Sequence, residues 1–283
     1  MTTLNPTITD SATGTATRSA TDSLRGSLTD SLVMLRRNLK HLQRYPSVTV
    51  MLIGMPVVFL LLFVYVFGGT LGAGLGAGSG GRAEYLEYVV PGILVMAIAA
   101  VAQGTAISVA MDMTEGIIAR FRTMAISRAA VLTGHVVGSM IQTLLGIVVV
   151  TLVAVALGFR PGADALHWLA AFGVLAMITF ALTWLTVAMG MASKSVESAS
   201  NSPMFLVLLP FLSSGFVPTD SMPAGVQWFA EHQPFTPFIE TIRGLLTGTP
   251  IGTSAVVSAL WCAVIAVAGY LWARASYDRQ SVR

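Results

Sequence analysis

Apolar residues in this chain gather into six long blocks, at about 48–67, 88–111, 135–158, 166–192, 198–217 and 253–273, none of which holds an Asp, Glu, Lys or Arg. A helix needs roughly 20 predominantly apolar residues to cross a hydrocarbon core about 30 Å thick, where each backbone amide must be satisfied within its own segment. The blocks therefore predict an all-α integral membrane fold with six transmembrane helices. The fifth is the weakest, because Pro203 and Pro210 interrupt it. Beyond it, residues 217–248 are too polar to face lipid, yet they carry Trp228, Phe229, Phe235, Phe238 and Ile239. That mixture fits a re-entrant or surface-lying helical hairpin between helices 5 and 6.

The flanks read differently. Residues 1–27 are rich in Ser, Thr, Ala and Asp with no apolar core, which predicts a disordered cytoplasmic tail and not a cleaved signal peptide. In 28–45, Leu28, Leu32, Leu35, Leu39 and Leu42 recur at helical spacing while Arg36, Arg37, Lys40, His41 and Arg44 occupy other faces. A core or coiled-coil helix fits this pattern too, but a basic face directly before a span favours an amphipathic interfacial helix in the headgroup plane. Residues 46–273 then form the transmembrane domain, and 274–283 a second cytoplasmic tail.

Composition agrees. The 283 residues are 54% hydrophobic and 10% charged, with mean hydropathy +0.76, whereas soluble domains carry about 25% charged residues. With the N-terminus placed inside, the outer loops hold only Arg82, Arg160 and Arg243 of the 16 Lys and Arg residues. That positive-inside asymmetry predicts a multi-pass protein of the cell (inner) membrane with both termini cytoplasmic. It also turns the sequence pI of about 9.3 into a matter of orientation, with no nucleic-acid partner expected. The lone Cys262 excludes a disulfide framework.

Enzymatic motifs are missing. A nucleotide-hydrolysing loop ends in Gly-Lys-Ser/Thr, but neither Lys40 nor Lys194 follows a glycine. Gly76, Gly78 and Gly81 satisfy GxGxxG without a preceding strand, so 68–81 reads as a flexible outer glycine loop. His41, His135, His167 and His232 are scattered, with no HExxH or GxSxG. No catalytic, cofactor or metal site is assigned, and any ATP and Mg belong on a partner chain. The small residues Gly134 with Gly138, and Ala154 with Gly158, predict close helix packing, within the chain or against a second protomer.

Polar residues at membrane depth are uncharged: Gln103, Thr105 and Ser108, then Gln142 and Thr143, then Thr179, Thr183 and Thr186. A proton-coupled pump or ion channel would place ionisable groups there, so their absence argues for energy supplied from outside the bilayer. Interhelical hydrogen bonding accounts for them, and lining of a substrate pathway by Gln103, Ser108, Gln142, Thr143 and Thr183 is the alternative. The inner loop carries Ile117, Ile118, Phe121 and Met124 at helical spacing, with Glu115 at the start and Arg120 and Arg122 on the polar side. Such a helix is either a surface brace or a docking handle. On the outer side, Glu240 and Arg243 are three apart and could pair on a helix. With Asp220, Glu231 and His232 they would be the makings of a membrane-embedded enzyme or scaffold.

Three motifs bear a family likeness: EGIIARFRTMAISR (115–128), SGFVPTDSMP (214–223) and QPFTPFIETIRGLLTG (233–248). In order and spacing, across about 28–273, the chain resembles the ABC-2 exporter permeases, and among them the daunorubicin/doxorubicin-resistance type. The resemblance implies a six-helix domain that dimerises, with a homodimer favoured, and binds cytoplasmic ABC ATPase subunits. Its coupling surface would be Glu115, Ile118, Arg120, Phe121, Arg122 and Arg128 together with Arg36 and Arg37. It further implies export of an amphipathic small molecule, or in other members a lipid or lipid-linked glycan, across membrane lipid. Ala125 stands where the family commonly has proline, and Gln233 where it commonly has asparagine.

Overall fold

The computed structural model describes residues 46–74, 81–114 and 128–280. The predicted tail at 1–27, the amphipathic helix with Arg36 and Arg37, and the inner-loop residues Glu115, Ile118, Arg120, Phe121 and Arg122 lie outside the described residues. Among the described residues the regular structure is all helical, with no strand.

In chain order, α1 (Pro46–Leu62) continues through a π-helical turn (Phe63–Phe67) into α2 (Gly68–Gly74). Then come α3 (Arg82–Thr114), α4 (Arg128–Ala156) and α5 (Ala165–Ala192). Short pieces follow: α6 (Val196–Asn201), α7 (Met204–Leu208), 3-10 turns at Leu209–Leu212 and Thr219–Ser221, α8 (Ala224–His232) and α9 (Phe235–Thr247). The last is α10 (Ser254–Gln280), so most of the predicted C-terminal tail continues a helix.

Among the described residues five stretches are long and apolar enough to cross a membrane: Ile53–Gly74, Arg82–Thr114, Leu132–Ala156, Ala165–Ala192 and Ser254–Ser276. They match the first four predicted spans and the last. The block at 198–217 is not one helix. Pro203 has no amide to donate and stands between α6 and α7, with Leu206 N–H turning back to its carbonyl at 2.9 Å. The chain then tightens into a 3-10 turn around Pro210.

Helix α3 is the centre of the molecule. In its most apolar stretch 72% of residues are buried, against 17% in α10 and 22% in the first span; α1, α4, α5, α6 and α9 pack against it, while α10 packs on α5 and α9. On the peripheral α10, Val256, Leu260, Val264, Val267 and Leu271 form an exposed apolar stripe, the surface a lipid-facing helix presents. The main core joins Leu60, Ile93, Ile98, Ile147, Leu182, Phe235, Phe238 and Ile242, so α9 is anchored in the same core as the spans.

Two glycine expectations change. Residues 68–74 are helix and not loop, because Gly68 and Gly72 face the start of α3, and a Cβ on Gly72 would lie 2.5 Å from the Gly81 carbonyl. Only glycine allows that approach, and the helix keeps its amides satisfied as it leaves the apolar layer. Gly158 is not a packing residue. With φ of 107° it ends α4, its N–H reaching Val155 O at 3.1 Å while Phe159 N–H reaches Ala154 O at 2.9 Å, a Schellman cap. Gly134 and Gly138, by contrast, are buried within this one chain.

Candidate functional site

The candidate side chains sit at three levels along α3. At its Arg82 end, Tyr85 and Tyr88 lie three apart and so share a face. Tyr88 Oη donates to Ser214 O at 2.9 Å, and Tyr85 Oη to Phe216 O at 3.2 Å. The guanidinium of Arg243, on α9, lies 3.9 Å from the centre of the Tyr88 ring. Its Nη2 donates to Ser214 O at 2.6 Å and to Tyr88 O at 3.2 Å. Burial lowers the Arg243 pKa, which Tyr88 and Glu240 oppose, and a guanidinium remains charged under such a shift.

Arg243 therefore clamps α3 and the broken segment to α9, and the predicted ion pair with Glu240 does not form. Glu240 accepts instead from Ser254 Oγ at 3.0 Å, across the turn into α10. The reason is geometric: two carbonyls and an aromatic face converge where the long Arg243 side chain reaches, while Glu240 points to the next helix. Gln233 caps the start of α9 by accepting from Phe235 N–H at 2.9 Å, and Thr236 Oγ1 donates back to Ala230 O at 2.6 Å. The SGFVPTDSMP and QPFTPFIETIRGLLTG motifs thus pack against each other. Glu231 and His232 engage Gln227 and the Trp228 carbonyl of their own helix.

At middle depth the polar side chains tie helices together. Gln103 Nε2 donates to Ser200 O at 2.8 Å and holds α6 to α3. The hydroxyls of Thr105 and Ser139 are 2.6 Å apart and link α3 to α4. Thr143 is buried and donates to Ser139 O at 2.8 Å. Thr183 is buried with no partner for its hydroxyl, while Ser108 and Gln142 are half-buried. Close contact is supplied by Gly190, where a Cβ would come within 2.5 Å of the Ala106 carbonyl, and by Gly269, where it would come within 2.6 Å of Leu185 N.

At the Thr114 end, Asp112 Oδ2 and His135 Nε2 are 3.1 Å apart, with both side chains buried. Both residues fall at the edges of apolar blocks, so neither reads as a membrane charge in sequence. The pairing of Asp112 with His135, like that of Tyr88 with Arg243, is a long-range contact. The only local signals were the three-residue spacing of Tyr85 and Tyr88 and the arginine inside a motif. Arg128, the last predicted coupling residue, opens α4. No group of three or more His, Cys, Asp or Glu able to hold a metal occurs among the described residues.

Residues 29–247 match the ABC-2 type transporter family. The chain is 28% identical over 242 residues to the daunorubicin resistance ABC transporter permease protein DrrB1 of Streptomyces coeruleorubidus, covering 83% of each. It is also 25% identical over 162 residues, 57% of this chain and 59% of the relative, to the "Probable doxorubicin resistance ABC transporter permease protein DrrC" of Mycobacterium tuberculosis.

Proposed function

The chain belongs to the ABC-2 type transporter family, and from that premise we propose that it is the permease subunit of an ATP-driven exporter of an amphipathic small molecule. It is a multi-pass membrane protein built of apolar helices. The observation that carries the drug-export reading is its likeness to a daunorubicin resistance permease over 83% of both chains.

In this reading ATP and Mg are bound by a separate cytoplasmic ATPase, since Lys40 and Lys194 do not belong to a phosphate loop. ATP binding closes paired ATPases, and the movement enters the membrane through the loop 115–128 and the basic helix 28–45. A cavity between two copies of the chain then opens outward. Both termini are cytoplasmic, as the placement of Lys and Arg favours. The proline-broken block at 198–217 makes the remaining crossing, and α8 and α9 form a re-entrant hairpin on the outer side. The buried Phe235 and Phe238 and the Gln233 side chain that accepts the Phe235 amide support that placement.

The test is daunorubicin accumulation in cells that express the chain with its ATPase. Lower accumulation than in cells with the ATPase alone supports export. Unchanged accumulation, with the chain at normal level in the membrane, overturns it.

A further inference from the structure

We propose that Asp112 and His135 form a positioning clasp that makes the two ends of the inner loop move as one unit, so that a push on the loop reaches the spans. The proposal rests on the exporter reading above.

Four observations converge. First, Asp112 of α3 is a buried carboxyl group, and a polar group taken out of water is costly unless it is hydrogen-bonded. His135 of α4 meets it at 3.1 Å. Second, both side chains are buried, and buried polar pairs seldom outdo apolar packing in stability. Their best-attested use is to set register between elements. Third, the pair joins the two helices that flank residues 115–127, the segment predicted to meet the ATPase.

Fourth, the surroundings suit a lever. Val109, Leu132, Val136, Trp184, Val187, Ala188, Met191 and Ala273 form an apolar cluster separate from the main core, drawn from α3, α4, α5 and α10. Val109 precedes Asp112 by one turn, and Leu132 and Val136 flank His135. About 9 Å back along α3, six residues at 1.5 Å each, Ala106 meets Gly190 of α5 with no room for a Cβ. Force applied to the clasped ends of α3 and α4 would act on this cluster about the Ala106 and Gly190 contact. Without the pair, each helix end follows the loop independently and the motion is dissipated before it reaches α5 and α10.

The experiment uses the permease reconstituted with its ATPase in inside-out vesicles, with daunorubicin uptake and phosphate release measured on the same sample. Asp112→Asn, His135→Leu and the paired Asp112→Leu/His135→Leu chain are compared with the exchange Asp112→His/His135→Asp. Expected is a fall of about tenfold in daunorubicin moved per phosphate released for the first three, and recovery to within about threefold for the exchange. The paired leucine chain should still fold and insert at the wild-type level, which separates coupling from stability. Wild-type coupling in that chain, or an exchange that inserts normally and stays uncoupled, overturns the clasp alone. A wild-type complex with no ATP-dependent uptake overturns the exporter reading and the clasp with it.

Discussion

Arg243 stacks its guanidinium 3.9 Å from the centre of the Tyr88 ring and hydrogen-bonds the backbone of Tyr88 and Ser214, 155 and 29 residues away in sequence. One cation thereby joins the start of the central helix, the proline-broken segment and α9.

Loss of that cation should loosen all three. A desolvated cation–π contact contributes about 2 kcal/mol and hydrogen bonds to a charged donor about 1.5–3 kcal/mol. Arg243→Ala is expected to cost about 3 kcal/mol, and Arg243→Lys most of that, because an ammonium lacks the planar fork. Tyr88→Phe keeps the ring and loses one hydroxyl bond, about 1 kcal/mol. Thermal unfolding of the detergent-solubilised protein should rank the variants in that order.

The helix crossing at Gly190 allows no side-chain atom. Gly190→Ala would drive a methyl to 2.5 Å from the Ala106 carbonyl, and the forced separation of α3 and α5 should cost about 1–3 kcal/mol. Gly173, also on α5, has nothing within 4 Å of its added Cβ, so Gly173→Ala is expected to leave the midpoint unchanged or raise it slightly. Equal loss in both would refute the packing argument.

The inner loop makes a functional prediction. Glu115→Lys and Arg122→Glu should abolish drug efflux while leaving membrane insertion intact, as measured by accumulation assays alongside quantitative blots of membrane fractions. Normal efflux in both variants at normal expression would remove the docking role from this loop.

The start of α5 has a pH signature. Asp164 accepts the His167 amide at 2.8 Å and lies 2.6 Å from the His167 ring nitrogen, and these contacts hold its carboxyl below the usual value. A lowered folded-state pKa means that the cap is fully present above the unfolded carboxyl value of about 4 and is lost as the pH falls through the lower folded value. Amide exchange in the first turn of α5 should accelerate relative to mid-helix as the pH is taken through that window. Asp164→Ala should show the faster exchange already at neutral pH.

Much of the fold was legible in the sequence because crossing a bilayer is a one-dimensional constraint. A run of apolar residues such as 166–192 must be helical wherever it packs, since its amides have no other partner in lipid, and Ala165–Ala192 is the observed helix. The same reasoning failed at 68–74. Glycine content alone suggests a loop, while the close approach of the Gly81 backbone calls for glycine in a helix. At 198–217 the interruption by Pro203 was legible, and the division into α6, α7 and a 3-10 turn was not.

The sequence by itself determined the class of this protein: apolar helices in a membrane, the sparing placement of charge, and three motifs that mark the ABC-2 family. The polar contacts were decided only by tertiary structure. Arg243 has a carboxylate three residues away and takes a tyrosine ring 155 residues away, and Asp112 finds His135 across the inner loop. Such choices depend on which helix faces come together in three dimensions, and in an apolar core each unpaired polar group is costly enough that the packed fold, and not sequence proximity, selects its partner.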